Sequence, residues 1–186
     1  MSLSAATDKP CRVCKKGFLP FTSTQVVCSV GCARRIPVIN RKAEKAELKR
    51  RKEAAKPRSK WLQEAQSEFN RYIRLRDGVQ PCISCGKYHQ GQWHAGHFYS
   101  VGARPELRFN EDNCHKQCQP CNTHLHGNLL KYRDELPNRI GGVRFRALGD
   151  PVDPKKYTIP DLKQIIATYR AKAKELEAQY NCVNHG

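Results

Sequence analysis

Side chains able to bind a metal ion or move a proton are concentrated in residues 94–128, HAGHFYSVGARPELRFNEDNCHKQCQPCNTHLHGN. Five histidines, three cysteines and several asparagines occur within this segment. A packed core has little use for such a mixture, because each buried imidazole or amide needs a hydrogen-bond partner. We therefore expect metal-binding or acid–base chemistry here.

Eight of the ten cysteines fall into two sets with the spacing of zinc ligands. One set has two C-x2-C pairs, and the other has C-x2-C followed by C-x3-C; they are Cys82, Cys85, Cys118 and Cys121, and Cys11, Cys14, Cys28 and Cys32. Four thiolates so spaced can close a tetrahedron around Zn²⁺, so we predict two structural zinc ions. The alternative, free buried cysteines, fits matched pairs less well. Cys114 and Cys182 are predicted to be unligated thiols.

Zinc held by four cysteines has no open coordination position, so its predicted role is positional. It would hold a strand containing His94 and His97 against the start of a helix at Asn122. The remaining histidines and asparagines would then form a second, open site. Three further histidines are interpreted as surface or hydrogen-bonded residues: His89, His115 and His124.

The chain of 186 residues has a formal net charge of +17, which is extreme for its size. Such a surplus favours an anionic partner, above all nucleic acid, since mixed-sign charge would serve mere solubility better. The cations are densest in residues 34–60, where twelve Lys or Arg accompany three Glu. We predict that this segment binds the DNA backbone through side chains that include Lys49, Arg50, Arg51 and Lys52.

The sequence has no apolar run long enough to cross a membrane, and its first residues, MSLSAATDKP, lack the features of a secretory signal. We therefore expect a reducing compartment. Ten cysteines in such a compartment favour metal binding over disulfides.

Composition and patterning divide the chain into four predicted segments. They are an N-terminal four-cysteine zinc finger at 1–33, a basic helical connector at 34–60, a zinc-bound core at 61–150 and a C-terminal amphipathic helix at 151–186. In the connector, residues 41–56 favour a helix that Pro57 should end.

Hydrophobic spacing predicts a helix on each side of the core. The first ends at Asp77-Gly78 and carries an apolar stripe of Trp61, Ala65, Phe69, Tyr72 and Ile73. The second is capped by Thr158 and carries a stripe of Leu162, Ile165, Ile166, Tyr169, Ala173 and Leu176. This second stripe could pack on the same chain or form a dimer interface.

The core itself is predicted to contain a strand, a loop and a helix. WHAGHFYS reads as a strand, and residues 100–113 form a loop because Gly, Pro and an Asn/Asp cluster break regular structure. A helix is expected from Asn122 through THLHGNLLKYRDEL.

The pattern CISCG…WHAGHF…EDNCHKQCQPCNTHLHGN resembles the His-Me finger (HNH) nucleases. The terminal CQPCN is similar to the phage endonuclease VII family, which cleaves branched DNA, and the whole chain resembles the NinG (Rap) recombination proteins of lambdoid phages. The resemblance implies an α+β fold with a small zinc-bound ββα core, flanking helices and an N-terminal zinc finger. It also implies a soluble protein of the bacterial host cytoplasm.

The nuclease resemblance assigns roles to four residues. His97 matches the general base, Asn113 the residue that braces the loop, and Asn122 a ligand of one catalytic divalent ion. His126, four residues further along the expected helix, would lie on the same face and bind the same ion.

Gly96 departs from that pattern, because related families commonly place a metal-binding Asp or His there. His94 and Asp112 are the nearest substitutes, and His94 would need a bulge at Ala95-Gly96 to reach the ion. Oxygen and imidazole ligands would suit Mg²⁺ or Mn²⁺, whereas an all-imidazole set would favour Zn²⁺ or Ni²⁺.

Two loop arginines, Arg104 and Arg108, could clamp the scissile phosphate or could be ordinary solvated side chains. The function expected from the resemblance is metal-dependent cleavage of branched DNA such as Holliday junctions, by a homodimer. The alternatives are a zinc-dependent DNA-binding accessory factor without cleavage and an HNH nuclease indifferent to DNA shape.

Overall fold

The computed structural model describes residues 8–184, and the side chains of all of these except 183 and 184. Residues 1–7 of the predicted zinc finger and the last two residues of the predicted C-terminal segment lie outside the described residues. The chain forms two compact units that divide between Lys56 and Pro57. The predicted mixture of helices and small sheets is confirmed, since each unit combines a two-stranded sheet with helix.

The N-terminal unit consists of a short hairpin and one long helix. Strand β1 (Lys9–Pro10) pairs antiparallel with β2 (Gly17–Phe18), and helix α1 covers Val30–Ala54. The Ser29 side chain caps α1 by accepting the N–H of Cys32 at 3.2 Å. The helix predicted over residues 41–56 is therefore present, but it begins eleven residues earlier (41 − 30), within the cysteine set.

The second unit contains four helices and the β3–β4 hairpin. Its elements are α2 (Arg58–Arg76), β3 (Trp93–His97), β4 (Cys114–Cys118), α3 (Leu129–Ile140), α4 (Gly142–Ala147) and α5 (Ile159–Asn184). Short 3₁₀ turns at Pro105–Leu107 and Glu111–Asn113 lie in the predicted loop, and a π-helical turn covers Pro120–His124.

Helices α2 and α5 pack together and form most of the core of this unit. All five residues of the predicted α2 stripe are buried, among them Ala65, Phe69 and Ile73 at 0% exposure. Two hydrophobic clusters each contain side chains from both helices, so the α5 stripe packs on its own chain. Thr158 caps α5 as predicted: its N–H donates to Asp161 at 2.8 Å, and its hydroxyl accepts the Asp161 N–H at 3.3 Å.

The β3–β4 hairpin has a regular antiparallel register, from Trp93 opposite Cys118 to His97 opposite Cys114. Side chains alternate between the two faces of a strand. Ala95 and His97 accordingly contact α2, whereas His94 and Gly96 face the π-helical turn. No bulge interrupts β3, so the bulge that His94 would need at Ala95-Gly96 to reach an ion beside His97 is absent.

The continuous helix predicted from Asn122 to Leu136 is wrong. Three consecutive residues have left-handed backbone angles, with φ of 48° at His126, 92° at Gly127 and 45° at Asn128, and α3 begins only at Leu129. The break is held from outside the segment, because the Gly127 carbonyl accepts hydrogen bonds from Ser84 at 3.2 Å and Gln117 at 2.6 Å. In residues 8–184 no helix is both long and apolar enough to span a membrane.

Candidate metal centres and candidate active site

The two predicted cysteine sets each converge on one point. Within each set the four sulfurs lie within 4.8 Å of one another, and all the cysteines are free thiols. Measured Sγ–Sγ separations are 3.6 Å for Cys14–Cys28, 3.7 Å for Cys28–Cys32 and 3.9 Å for Cys85–Cys118. A tetrahedron of thiolates about 2.3 Å from zinc has edges of about 3.8 Å, so both sets fit a structural zinc ion.

Backbone N–H groups support the thiolate form of one cysteine in each centre, Cys11 and Cys82, whereas the neighbouring thiols raise the pKa of Cys28. The Cys28 N–H points at Cys11 Sγ and the Cys118 N–H at Cys82 Sγ, each at 3.4 Å. Hydrogen bonds from the backbone, first of all that of Cys14, lower the pKa of Cys11 to about 6. Burial opposes the same effect at Cys82, yet the N–H groups of Cys85 and Cys118 leave the Cys82 pKa lowered. Metal ligation requires the deprotonated thiol, so these bonds favour ion binding.

His89 is a contributor to the second centre that the sequence interpretation left aside. Its Nε2 lies 3.1 Å from Cys85 Sγ, and its ring makes an edge contact with Trp93 at 6.0 Å. An imidazole N–H directed at a ligand sulfur orients that ligand and stabilises its charge. The only sequence signal was its position four residues after Cys85.

Around Gly96, the structure brings together part of the predicted open site. The Asn122 amide nitrogen donates to His94 Nδ1 at 2.8 Å, joining β3 to the π-helical turn. A Cβ on Gly96 would lie 2.1 Å from Gln117 Oε1 and 3.0 Å from Asn122 Oδ1. Gln117 is fully buried and its Oε1 has no hydrogen-bond partner among the described residues. An imidazole nitrogen and two amide oxygens therefore gather here.

His126 and Asp112 do not join this group. His126 is exposed and lies in the left-handed turn, so the expectation that it shares a helical face with Asn122 is wrong. Asp112 is held by an ion pair with Arg144. Within residues 8–184, the two cysteine sets are the only groups of three or more Cys, His, Asp or Glu ligands that converge. A catalytic ion would therefore depend on His94 and the amide oxygens.

His97 lies on the other face of β3, against α2. Its Nε2 is 2.9 Å from the Arg108 carbonyl, which can only accept, so Nε2 carries the proton and Nδ1 the lone pair. Nδ1 is 3.7 Å from Cys114 Sγ, and the ring lies 6.1 Å from that of Phe69. Burial lowers the pKa of His97 below 6.5, so the imidazole is neutral at pH 7.

Asn113 is fully buried and braces the loop that follows His97. Its Oδ1 accepts the Tyr99 N–H at 2.8 Å, and its Nδ2 donates to the carbonyls of Tyr99 at 3.0 Å and Leu107 at 3.3 Å. These bonds tie the chain two residues after His97 to the start of β4. Asn113 thus fixes the backbone of the loop next to His97, which is the position that its predicted bracing role requires.

His115 is a hydrogen-bonded core histidine. Its Nδ1 lies 3.2 Å from the Tyr132 hydroxyl, which itself donates to the Gly96 carbonyl at 3.0 Å. Burial lowers the pKa of His115 to about 3. Its role is to fix the backbone of Gly96. His124 is exposed.

The two loop arginines have different environments. Arg104 forms an ion pair with Glu106 and donates to the Asp150 carbonyl at 2.8 Å, so it is engaged within the protein rather than solvated. Arg108 donates to Gln66 Oε1 at 3.1 Å, a neutral acceptor. Neither contacts Asn122 or His94, so the structure does not bring them to the Gly96 site.

The predicted DNA-binding residues of α1 are all on exposed helix. Lys49, Arg50, Arg51 and Lys52 are exposed, and the two arginines form ion pairs with Glu47 at 2.8 and 2.9 Å. Exposed pairs of this kind contribute little stability, so the charges stay available to an anion.

The matches to known proteins extend over both cysteine sets and the Gly96 site. A family model described as Bacteriophage Lambda NinG protein matches residues 4–179. The chain belongs to the NinG family. Protein ninG of Escherichia phage lambda is 42% identical over 182 residues, which is 88% of this chain and 89% of that protein.

Other NinG proteins match over similar lengths. Protein ninG of Escherichia phage 933W is 40% identical over 187 residues, or 90% of this chain and 93% of that protein. Protein ninG of Salmonella phage P22 is 41% identical over 182 residues, or 88% and 90%. No solved structure matches the chain.

Proposed function

We propose that this NinG protein is a metal-dependent endonuclease that cleaves branched DNA intermediates of recombination, such as Holliday junctions. The observation that carries the proposal is the arrangement of two histidines on β3: His94 meets Asn122 at 2.8 Å, and His97, three residues on, is a neutral imidazole whose Nε2–H is held by the Arg108 carbonyl, so that its lone pair is on Nδ1. The resemblance to nucleases of branched DNA supplies the substrate.

In this mechanism His97 accepts the proton of the attacking water. Water attacks phosphorus, its proton passes to His97 Nδ1, and the phosphorus–oxygen bond to the 3′-oxygen breaks. The leaving oxygen takes a proton from solvent. The Nε2–H remains hydrogen-bonded to the Arg108 carbonyl, and this bond stabilises the imidazolium that forms. His94 Nδ1 accepts the Asn122 amide N–H, so the two would hold a divalent ion such as Mg²⁺ or Mn²⁺ once the Asn122 side chain turns its Oδ1 towards the ion and frees His94 Nδ1. The ion would supply positive charge to the phosphate oxygens.

A second candidate function is a DNA-binding accessory factor that does not cut. Two observations favour it: within residues 8–184 no converging group of three or more Cys, His, Asp or Glu ligands includes His94, and His97 packs towards Phe69. Both zinc centres and the basic helix α1 would serve either function.

Purified protein incubated with a four-way junction and a linear duplex of matched sequence, with and without Mg²⁺ or Mn²⁺, tests the proposal. Metal-dependent cutting of the junction alone supports it. Cutting of both substrates supports a nuclease indifferent to shape, and cutting of neither supports the accessory factor.

Symmetrical resolution of a junction needs two cuts, so we propose a two-fold dimer as the active unit. The apolar stripe of α5 is covered by α2 of the same chain, so it does not form the dimer contact.

A further inference from the structure

A cationic cavity of about 430 Å³ lies in the second unit, apart from the Gly96 site. Four of its lining residues are basic and none is acidic. The cations are Arg58, Arg108, Lys155 and Lys156. Leu62 and the buried Tyr157 contribute an apolar wall.

Among the described residues, the hydrogen-bond partners of the two arginines are neutral acceptors. Arg58 Nε donates to the Tyr157 carbonyl at 2.7 Å, and Arg108 donates to Gln66 Oε1 at 3.1 Å. Burial lowers the pKa of Arg108, and the positive charge of Arg58 lowers it further. The two guanidinium groups therefore repel each other without a carboxylate between them.

Nearby carboxylates are already engaged. Glu106 forms an ion pair with Arg104, and Asp161 caps α5 by accepting the Thr158 N–H at 2.8 Å and its hydroxyl at 2.9 Å. Among the described residues neither carboxylate forms an ion pair with a cavity cation, although the pKa of Asp161 is lowered by its bonds from Thr158 and also by the charge of Lys155.

The start of helix α2 adds to this charge. Pro57 provides no side-chain cap, and the first turn contains Arg58 and Lys60 but no acidic residue. The free N–H groups of a helix N-terminus favour anions, so basic residues placed there are unfavourable unless an anion binds.

We propose that this cavity binds a phosphate of a polynucleotide backbone, distinct from the phosphate that is cut. Guanidinium groups bind phosphate oxygens in pairs, and the apolar wall suits a sugar or base. The Arg108 backbone carbonyl also accepts the Nε2–H of His97. A strand anchored on the Arg108 side chain would therefore be bound by a residue that is itself hydrogen-bonded to the proposed base. The inference rests on the proposed function in taking DNA as the partner, although it does not require cleavage.

The test measures binding to dT10 with no divalent ion added, so the result is independent of nuclease activity. The variant carries Arg58→Gln and Lys156→Gln, and the matched control carries Arg133→Gln and Lys174→Gln, two exposed cations outside the cavity. We expect the log–log salt dependence of binding to weaken by about one unit in the cavity variant and less in the control.

A second readout follows the Arg58 and Arg108 Nε–H signals by NMR in the native protein. Shifts of both signals on addition of dT10 support the proposal. Unchanged signals would overturn it, and so would shifts caused by inorganic pyrophosphate but not by dT10, which would indicate a site for small phosphates. Equal salt dependence in the cavity and control variants would also overturn it.

Discussion

At the scale of a single residue, Gly96 lies where no side chain would fit. The Gln117 and Asn122 oxygens occupy the space that a Cβ would need. The Gln117 Oε1 that a Cβ would meet at 2.1 Å is buried and has no hydrogen-bond partner among the described residues. If β3 supplies a ligand to the proposed ion, His94 is the candidate on this face of the strand.

Gly96→Ala should destabilise the protein by about 1–3 kcal/mol, because the methyl group would displace the buried Gln117 from its two hydrogen bonds. Urea unfolding measures the change. Gly102→Ala is the control, since a Cβ there meets nothing within 4 Å. Equal stability of the two variants would show that Gln117 can move aside freely.

His97→Ala should lower junction cleavage by a factor of about 10²–10⁴, the usual contribution of a positioned general base. Zinc content and junction affinity should be unchanged, because the imidazole contacts neither cysteine set. His124→Ala, an exposed histidine of the same region, should cleave at the native rate. Native activity in His97→Ala would remove the nuclease assignment of this residue.

Cleavage should persist at pH values below the ordinary histidine pKa of about 6.5. The base acts in its neutral form, and burial lowers the pKa of His97, so protonation and loss of activity occur only as pH falls through that lowered value. A pH–rate profile of cleavage by the native protein measures this. An acid limb centred above 6.5 would contradict burial of the base.

At the scale of the element, helix α1 links a zinc centre to the basic segment. Cys32 lies within its first turn and the dense cations lie in its second half. An isolated helix with so little apolar surface is marginal in water. Ser29 and the first zinc centre therefore fix where α1 starts, and the basic side chains extend from that point.

Neutralising Lys49, Arg50, Arg51 and Lys52 to Gln should flatten the salt dependence of DNA binding by about three to four log–log units. Each side chain is exposed and can release counterions when it meets a phosphate. The control exchanges Lys and Arg at the same four positions and should keep the native slope. An unchanged slope in the Gln variant would place this part of α1 away from DNA.

At the scale of the whole molecule, the two units differ in what stabilises them. The second has helices packed on buried aromatic and aliphatic side chains, whereas the described residues of the first bury only Cys11 and Cys32. We therefore expect the N-terminal unit to depend on metal binding, because the free energy of zinc binding becomes free energy of folding.

Elemental analysis should find two zinc ions per chain in protein purified without chelator. Cys118→Ser should lose one of them, since this residue joins β4 to the second centre. The variant should also be less stable to unfolding, as followed by its helical circular dichroism signal. Cys182→Ser, at an exposed position outside both sets, should retain both ions. One zinc ion or none in the native protein would show that at least one cysteine set does not bind zinc.

The sequence by itself determined the cysteine sets, the α2 and α5 stripes and the Thr158 cap. These features depend on ligand spacing, helical period and local hydrogen bonds, all of which a short segment encodes. Family membership was also legible in the sequence, because the NinG resemblance extends from the first cysteine set to α5.

Only the tertiary structure decided how the open site is arranged. Strand register placed His94 with Asn122 and turned His97 towards α2. Hydrogen bonds from Ser84 and Gln117 to the Gly127 carbonyl broke the expected helix and removed His126 from the group. These outcomes depend on partners 10 to 43 residues away, and local pattern carries no information about contacts made over that distance.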